Sequence, residues 1–353
     1  MRALVDHLPT LAPDWQFLLL RHASLGERLS SEANVVEVPV ATETNSPAGM
    51  WCLPQIVDLD GIDLFHAPSN ILPRGLKMPT VTTIHDVMWL TDPKLCNQGA
   101  WGHIERRFYG HGLRRALARS DAVCTVSEAT RHAVITLDPH QEGRTFTVLP
   151  GVSEEFCPRG VGNAELAALG LSDRRYILVV GQNAPYKNHL GAIRAFAAAF
   201  GEDPGIDLVL VQRRGPRSDA LKREAQQLGI KNRVRFLLSV EEEDLPSLYC
   251  GATALLHPSF CEGFGMPLAE AIACGCPVIT SNRAAMPEVT GGSALLVDPH
   301  DTQCIANALV RIDKEPGLAQ ELSRLGLRRA QELKWQDFAA GNLDVYSRVL
   351  QAS

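Results

Sequence analysis

Long apolar runs are missing from this 353-residue chain. None approaches the roughly 20 residues that span a bilayer, and the first residues lack the pattern of a secretory signal. Paired cysteines are missing as well. The nine present are scattered, with no Cys-x-x-Cys and no metal-ligand spacing, and only Cys274 and Cys276 stand close together. That excludes a disulfide scaffold or a zinc module, and it implies reduced thiols and a cytoplasmic address. There is no excess of positive charge. A net charge of −6 argues against a nucleic-acid binder while leaving room for a local basic face. No repeat or low-complexity tract is visible. No Gly-x-Gly-x-x-Gly follows a strand, which argues against a dinucleotide-dependent dehydrogenase.

What is present fits an α/β protein of two domains, for which the length suffices. In the first half, Gln16 to Leu20, Ile62 to His66, Thr80 to Asp86 and Ala122 to Ser127 read as strands separated by helical patterns. Ser127 is placed to cap the helix that follows it. Pro150 to Pro158 has the punctuation of a linker. Strand and helix then alternate again from Tyr176, so both halves read as doubly wound Rossmann-like domains. The boundaries expected are 1–150, together with a returning C-terminal helix over 336–353, and 151–335.

One stretch organises the second half. Ala252 to Leu256 is a short apolar strand. His257-Pro-Ser-Phe-Cys-Glu-Gly-Phe-Gly-Met-Pro follows it, then a helix that stops at Gly275 and a further strand from Pro277. Pro267 suits the first helical position and Gly275 the position just past the end. Gly263, Phe264 and Gly265 form a loop whose backbone can approach a ligand closely, and the helix behind it offers unpaired N–H groups. That geometry suits a diphosphate. Glu262 and Glu270 flank it, and each carboxylate can accept bonds from two adjacent sugar hydroxyls. Either glutamate alone reads equally well as a helix-dipole partner or a solvated loop residue; the pair bracketing the loop points to a ligand.

The run from Ser259 to Ile279 resembles the E-x7-E signature of retaining GT-B glycosyltransferases, the family called group 1. The resemblance implies two Rossmann-like domains facing across a cleft. It implies that Glu270 binds the donor ribose, that Glu262 lies by the donor sugar ring, and that Gly263 to Gly265 hold the diphosphate. The resemblance extends over most of the chain. Gly181 to Asn188 resembles the family's loop with a basic pair for the diphosphate. Lys187 fills one place there, but Tyr186 stands where an arginine is often found, and Arg213 or Arg214 is offered as its replacement. His85, closing the strand Thr80 to Ile84, corresponds to a histidine that reaches toward the donor sugar. His66 and Ser127 close similar strands and read as structural. Glu288, in a stretch that also matches the family, reads as structural too.

The expected activity is therefore transfer of a hexose, mannose or rhamnose from a GDP-sugar, to a glycan or lipid-linked acceptor in surface-polysaccharide assembly. Glu262, His85 and Lys187 are the expected catalytic residues, acting without a metal or other cofactor. Asp58 and Asp60 imitate a metal-binding Asp-x-Asp but read as loop. The segment 102–120 reads as a basic amphipathic helix with Arg107, His111, Arg114 and Arg115 on one face and Trp101, Ile104, Phe108 and Leu113 elsewhere; it is offered as a peripheral contact with a membrane or an acceptor diphosphate. Two other classes fit the pattern: a sugar-nucleotide epimerase or phosphorylase on the same fold, and a weakly catalytic nucleotide-sugar-binding protein. The resemblance also implies a strand and glycine-rich loop ahead of the helix at Arg2 to Leu8. The expectation is a gap in the first sheet beside the 80–85 strand, with a true start ahead of Met1 or a poorly active form.

Overall fold

The computed structural model of the chain describes residues 2–352 apart from 100, 161–162, 172–173, 213–217 and 239. The chain folds as two compact units. One comprises Met1–Pro93, Gly99–Gly151 and Lys334–Ser353, and the other Lys94–Gln98 and Val152–Leu333. The elements run α1 (Arg2–Leu11), β1 (Phe17–His22), β2 (Val35–Val40), α2 (Pro47–Ile56), β3 (Phe65–Ala67), β4 (Thr80–Ile84), α3 (Met88–Thr91), α4 (Pro93–Cys96), α5 (Gly102–Arg119), β5 (Ala122–Thr125), α6 (Glu128–Leu137) and β6 (Thr145–Thr147). They continue through α7 (Asn163–Ala168), β7 (Arg175–Val180), α8 (His189–Phe200), β8 (Ile206–Val211), α9 (Ser218–Gln227), β9 (Val234–Leu237), α10 (Leu245–Gly251) and β10 (Ala254–His257). The last are α11 (Met266–Ala273), β11 (Val278–Ser281), α12 (Met286–Thr290), β12 (Ala294–Val297), α13 (Thr302–Lys314), α14 (Leu318–Ala330) and α15 (Trp335–Ala352).

In the first unit the strands form two separate parallel sheets, β1-β2 and β3-β4-β5-β6. Every residue of β4 is buried, as a strand covered on both faces requires. One covering layer is α15, whose Phe338, Ala339, Val345, Tyr346 and Val349 pack with Leu4 and Leu8 of α1 and with Val81, Ala122 and Cys124 of the sheet. His66 anchors this layer. The Tyr346 hydroxyl donates to its Nδ1 at 2.6 Å, leaving Nε2 to bond Thr83 Oγ1 at 2.8 Å. Burial brings the His66 pKa down to about 3, so the ring is neutral and structural.

Residues of β1 and β3 line one largely apolar cavity of about 1150 Å³, together with Leu4, Leu8 and Tyr346. Among the described residues no strand pairs with both β1 and β3. The gap in the sheet is thus present but lies beside Phe65–Ala67 rather than beside 80–85. The short β3 covers that edge of β4, and the sequence pattern of 62–66 does not reveal it as an edge strand.

Helix α5 keeps Arg107, His111 and Arg114 exposed on the expected basic face and buries Leu113. Gly102, Gly110, Gly112, Ala116 and Leu117 complete its buried side. A Cβ at Gly112 would lie 2.8 Å from Ile71, so the glycine is a packing residue. Trp101 and Ile104, off the basic face, are exposed as well, and Ile104 lines one shallow recess with Trp89, His103, Arg106, Arg107 and Arg114. No described helix is long and apolar enough to cross a membrane.

The second unit holds a six-stranded parallel sheet in the order β12-β11-β10-β7-β8-β9. Its core packs Ile193 and Phe196 of α8 and Ile305 and Leu309 of α13 against Ile177, Leu208 and Leu256 of the strands. Strand order reverses between β7 and β10. In such sheets the loops leaving the carboxyl ends of those two strands diverge and open a crevice. Asn188, with φ of +53°, caps α8 by accepting from Gly191 N at 3.2 Å. Its amide also donates to the carbonyls of Pro258 at 3.1 Å and Pro299 at 2.9 Å, tying three loops together.

The Asn188→Ala variant loses the cap and both loop bonds and keeps a strained backbone, so it should lose about 2–4 kcal/mol. Asn188→Gly, free of the strain, should lose less. Urea unfolding midpoints check the order, and an Ala variant as stable as the parent would refute the role.

Candidate active site

Both loops at the reversal point carry a charged side chain inward. After β7 the chain turns at Gly181, with φ of +145°, where a Cβ would stand 3.3 Å from Lys187 Cε. A glycine is therefore needed for Lys187 to fold back over the strand end. A 3-10 turn over Pro185–Lys187 then delivers the lysine. Its ammonium lies 2.7 Å from Glu262 Oε1, and both side chains are only 9% exposed. After β10, His257 and Ser259 face the same oxygen. His257 Nε2 stands 3.0 Å and Ser259 Oγ 2.8 Å from Glu262 Oε1. One carboxylate oxygen thus meets three groups.

The electrostatics follow from that arrangement. Burial on its own would raise the Glu262 pKa. The Lys187 charge and the His257 bond outweigh it and bring the pKa down to about 2. Burial lowers His257, so a neutral ring donating Nε2–H to the carboxylate accounts for the contact. Behind Lys187, His189 is also neutral, at about 4, through burial first and the lysine charge second. Neither ring nitrogen of His189 and neither amide atom of Gln212 has a hydrogen-bond partner among the described residues, although both side chains are buried.

Beyond Glu262 the loop turns at Gly265, with φ of +96°, and starts α11 with Pro267 in its first turn. Gly263 needs no such conformation, so only one of the two glycines is required by the turn itself. Gly275, with φ of +72°, ends the helix through bonds from Gly275 N to Ile272 O and from Cys276 N to Ala271 O. Glu270 is the fifth residue of α11 and so falls in its second turn, past the first-turn place that a helix-dipole partner would take. Tyr249 of α10 donates its hydroxyl to Glu270 Oε2 at 2.7 Å. Burial raises the Glu270 pKa, against the bond from Tyr249.

The second unit thus brings Lys187, Glu262 and the loop Gly263–Gly265 to one strand-end crevice, with Glu270 on the helix leaving that loop. His85 belongs to the first unit, where its Nε2 donates to Pro68 O at 2.9 Å and its backbone N–H to Asn70 Oδ1 at 2.7 Å. Ser127 caps α6, accepting from Thr130 N at 3.1 Å. Asp58 closes a local turn by accepting from Asp60 N at 3.0 Å. Arg213 and Arg214 lie outside the described residues. Four partners escaped the sequence reading. The sequence places His257 and Ser259 beside Glu262, but their aim needs the loop's path; Tyr249 and His189 carry no spacing signal.

Residues 164–328 match the family described as "Glycosyl transferases group 1", and residues 14–156 match "Glycosyltransferase Family 4". An O-antigen chain mannosyltransferase B of Escherichia coli is 29% identical over 286 residues, covering 80% of this chain and 74% of that one. A D-inositol 3-phosphate glycosyltransferase of Salinispora tropica is 31% identical, covering 76% of this chain and 60% of its own length. A second such enzyme, of Saccharomonospora viridis, is covered over 58% of its length, so the chain spans under two thirds of these longer relatives. Among solved structures, sucrose-phosphate synthase from Thermosynechococcus elongatus superposes with a TM-score of 0.75 at 22% identity, over 99% of this chain and 92% of that one. Anabaena HepE in complex with UDP and glucose gives 0.66 at 21% identity, over 77% and 72%.

If Lys187 compensates Glu262, Lys187→Met leaves a buried carboxylate without its cation and should cost about 3–5 kcal/mol at pH 7. Adding Glu262→Gln should return much of it. The depressed Glu262 pKa contributes stability above its ordinary value of 4.5 that is lost as pH falls toward about 2. Lys187→Met should flatten that acid limb. Urea unfolding across pH measures both, and additive losses in the double variant would contradict the coupling.

Proposed function

Since the chain belongs to the group 1 GT-B glycosyltransferases, we propose that it transfers a mannosyl or related hexosyl group from a GDP-sugar to a glycan or lipid-linked acceptor, with retention at the anomeric carbon. The observation that carries this reading is the buried Lys187–Glu262 pair at the mouth of the Gly263–Gly265 loop. The mannosyl choice rests on the likeness to the O-antigen mannosyltransferase. The surface-polysaccharide setting rests on the same likeness.

The chemistry asks for positive charge where the diphosphate leaves and for hydrogen-bond acceptors around the sugar. Lys187 supplies a mobile cation, and the N–H groups opening α11 supply fixed partial charge. As the bond to the anomeric carbon breaks, negative charge grows on the diphosphate, and these groups stabilise it in a site walled off from water. Lys187 can serve the diphosphate only by turning from Glu262. His257 and Ser259 then keep the carboxylate in place, so Glu262 orients the ring without collapsing onto the leaving group. Glu270, held by Tyr249, accepts bonds from the ribose hydroxyls. The acceptor hydroxyl attacks from the leaving-group face, giving up its proton to the departing diphosphate. The lysine and helix terminus supply the charge stabilisation that a divalent ion would otherwise provide, so metal independence is part of the proposal.

Glu270→Ala should weaken GDP binding about tenfold to a hundredfold, the loss expected for one or two charge-assisted hydrogen bonds. Calorimetric titration of parent and variant with GDP and UDP tests the ribose role and the base preference together. Unchanged affinity in the variant removes Glu270 from the ribose, and tighter UDP binding by the parent removes the GDP choice.

A further inference from the structure

The donor-site account leaves a group of thiols without a task. None of the cysteines is in a disulfide; Cys52 and Cys157 are exposed, and Cys124, Cys274 and Cys276 are buried. Cys250 is neither. It is the penultimate residue of α10, one after Tyr249, and it is partly exposed. Its sulfur lies 3.5 Å from the carbonyl oxygen of Cys157 and 3.6 Å from that of Cys274. Cys274 is the buried C-terminal cap of α11, its N–H bonded to Glu270 O at 3.0 Å. The α10–α11 junction therefore carries two links a residue apart on α10. One is the Tyr249 hydroxyl to the Glu270 carboxylate; the other is the Cys250 sulfur against the Cys274 backbone carbonyl.

We propose that Cys250 is an oxidant-sensitive nucleophile that forms a reversible disulfide with Cys274, and that this bond shifts α10 on α11 and disengages Tyr249 from Glu270. The effect on nucleotide binding rests on the ribose role given above for Glu270.

The electrostatics favour Cys250 as the attacking group. The Cys274 thiol favours the Cys250 thiolate; burial opposes it, and the Arg159 backbone N–H and guanidinium add to it, so that the pKa comes down to about 6. Cys274 moves the other way, pushed up by the hydrogen bond to Cys250 and by burial. Cys250 is thus the partly exposed thiol biased toward the thiolate, and Cys274 the buried one biased toward the neutral form. With hydrogen peroxide as the oxidant, the Cys250 thiolate attacks one peroxide oxygen. The S–O bond forms, the O–O bond breaks, and hydroxide leaves to take up a proton as water. The resulting sulfenic acid no longer carries the charge that held Cys274 protonated. The Cys274 sulfur then attacks the Cys250 sulfur. An S–S bond forms, the S–O bond breaks, and hydroxide departs with the Cys274 proton as a second water. Two thiols and one peroxide become one disulfide and two waters.

The test treats the full chain with hydrogen peroxide, maps linked peptides by mass spectrometry, and measures GDP and UDP binding before oxidation, after it, and after dithiothreitol. The expected result is a Cys250–Cys274 link, nucleotide binding weakened about tenfold as for loss of one charge-assisted bond, and recovery on reduction. Cys274→Ser should abolish both the link and the loss, whereas Cys157→Ser should keep both. Alkylation of Cys250 in the untreated protein should rise with a midpoint near pH 6. A link to Cys157 instead, no link at all, or a Cys250–Cys274 link without altered binding overturns the proposal. Failure of the reduced protein to bind any nucleotide would sink the donor-site reading instead, and with it the functional half of this one, while the linked peptide would still report on the thiol chemistry.

Discussion

A lysine and a glutamate, taken out of water together, hold the centre of this structure. Lys187 and Glu262 meet at 2.7 Å with little exposure, and neither can be buried at acceptable cost without the other. The demands of that pair propagate outward. Gly181 must be a glycine so that the lysine can fold back over the end of β7, and Asn188 must take a left-handed backbone to start α8 directly behind it. His257 and Ser259 must close β10 so that the carboxylate remains bonded when its cation moves. Such a pair adds little stability over an apolar equivalent. Its value lies in keeping both charges ready, each with a second partner to turn to.

The sheet explains why the pair forms where it does. Because β7 and β10 are neighbours with connections running to opposite sides, their following loops part and leave the crevice between them. Residues far apart in sequence arrive there for topological reasons. The same logic places α10 and α11 side by side, which sets Tyr249 on Glu270 and Cys250 against Cys274. The donor side and the thiol pair are thereby parts of one junction.

Much of this was legible in the chain. The apolar run before His257, Pro267 and Gly275 specify strand, helix start and helix stop by local chemistry alone, and the two glutamates about the glycine loop marked the ligand. The reading lost accuracy where tertiary contact decides. Glu270 sits one residue deeper in its helix because α11 begins at Met266, ahead of the proline. On α5 the basic face and Leu113 off it were legible, but glycine and alanine supply much of the buried side, which hydrophobic periodicity scarcely registers, and Trp101 and Ile104 lie exposed. Tyr249 could not be assigned to Glu270 from spacing, since the bond crosses from one helix to the next. The gap in the first sheet was foreseen, but its position depended on the three-residue strand Phe65–Ala67, too short to show its edge role in sequence.

The account turns on Lys187 exchanging partners, and a crystal structure with a bound nucleoside diphosphate tests it directly. The account predicts Lys187 Nζ within about 3 Å of a phosphate oxygen, released from Glu262, while His257 and Ser259 stay bonded to the carboxylate. A diphosphate bound in the crevice with Lys187 still on Glu262 and no contact to phosphate would contradict it.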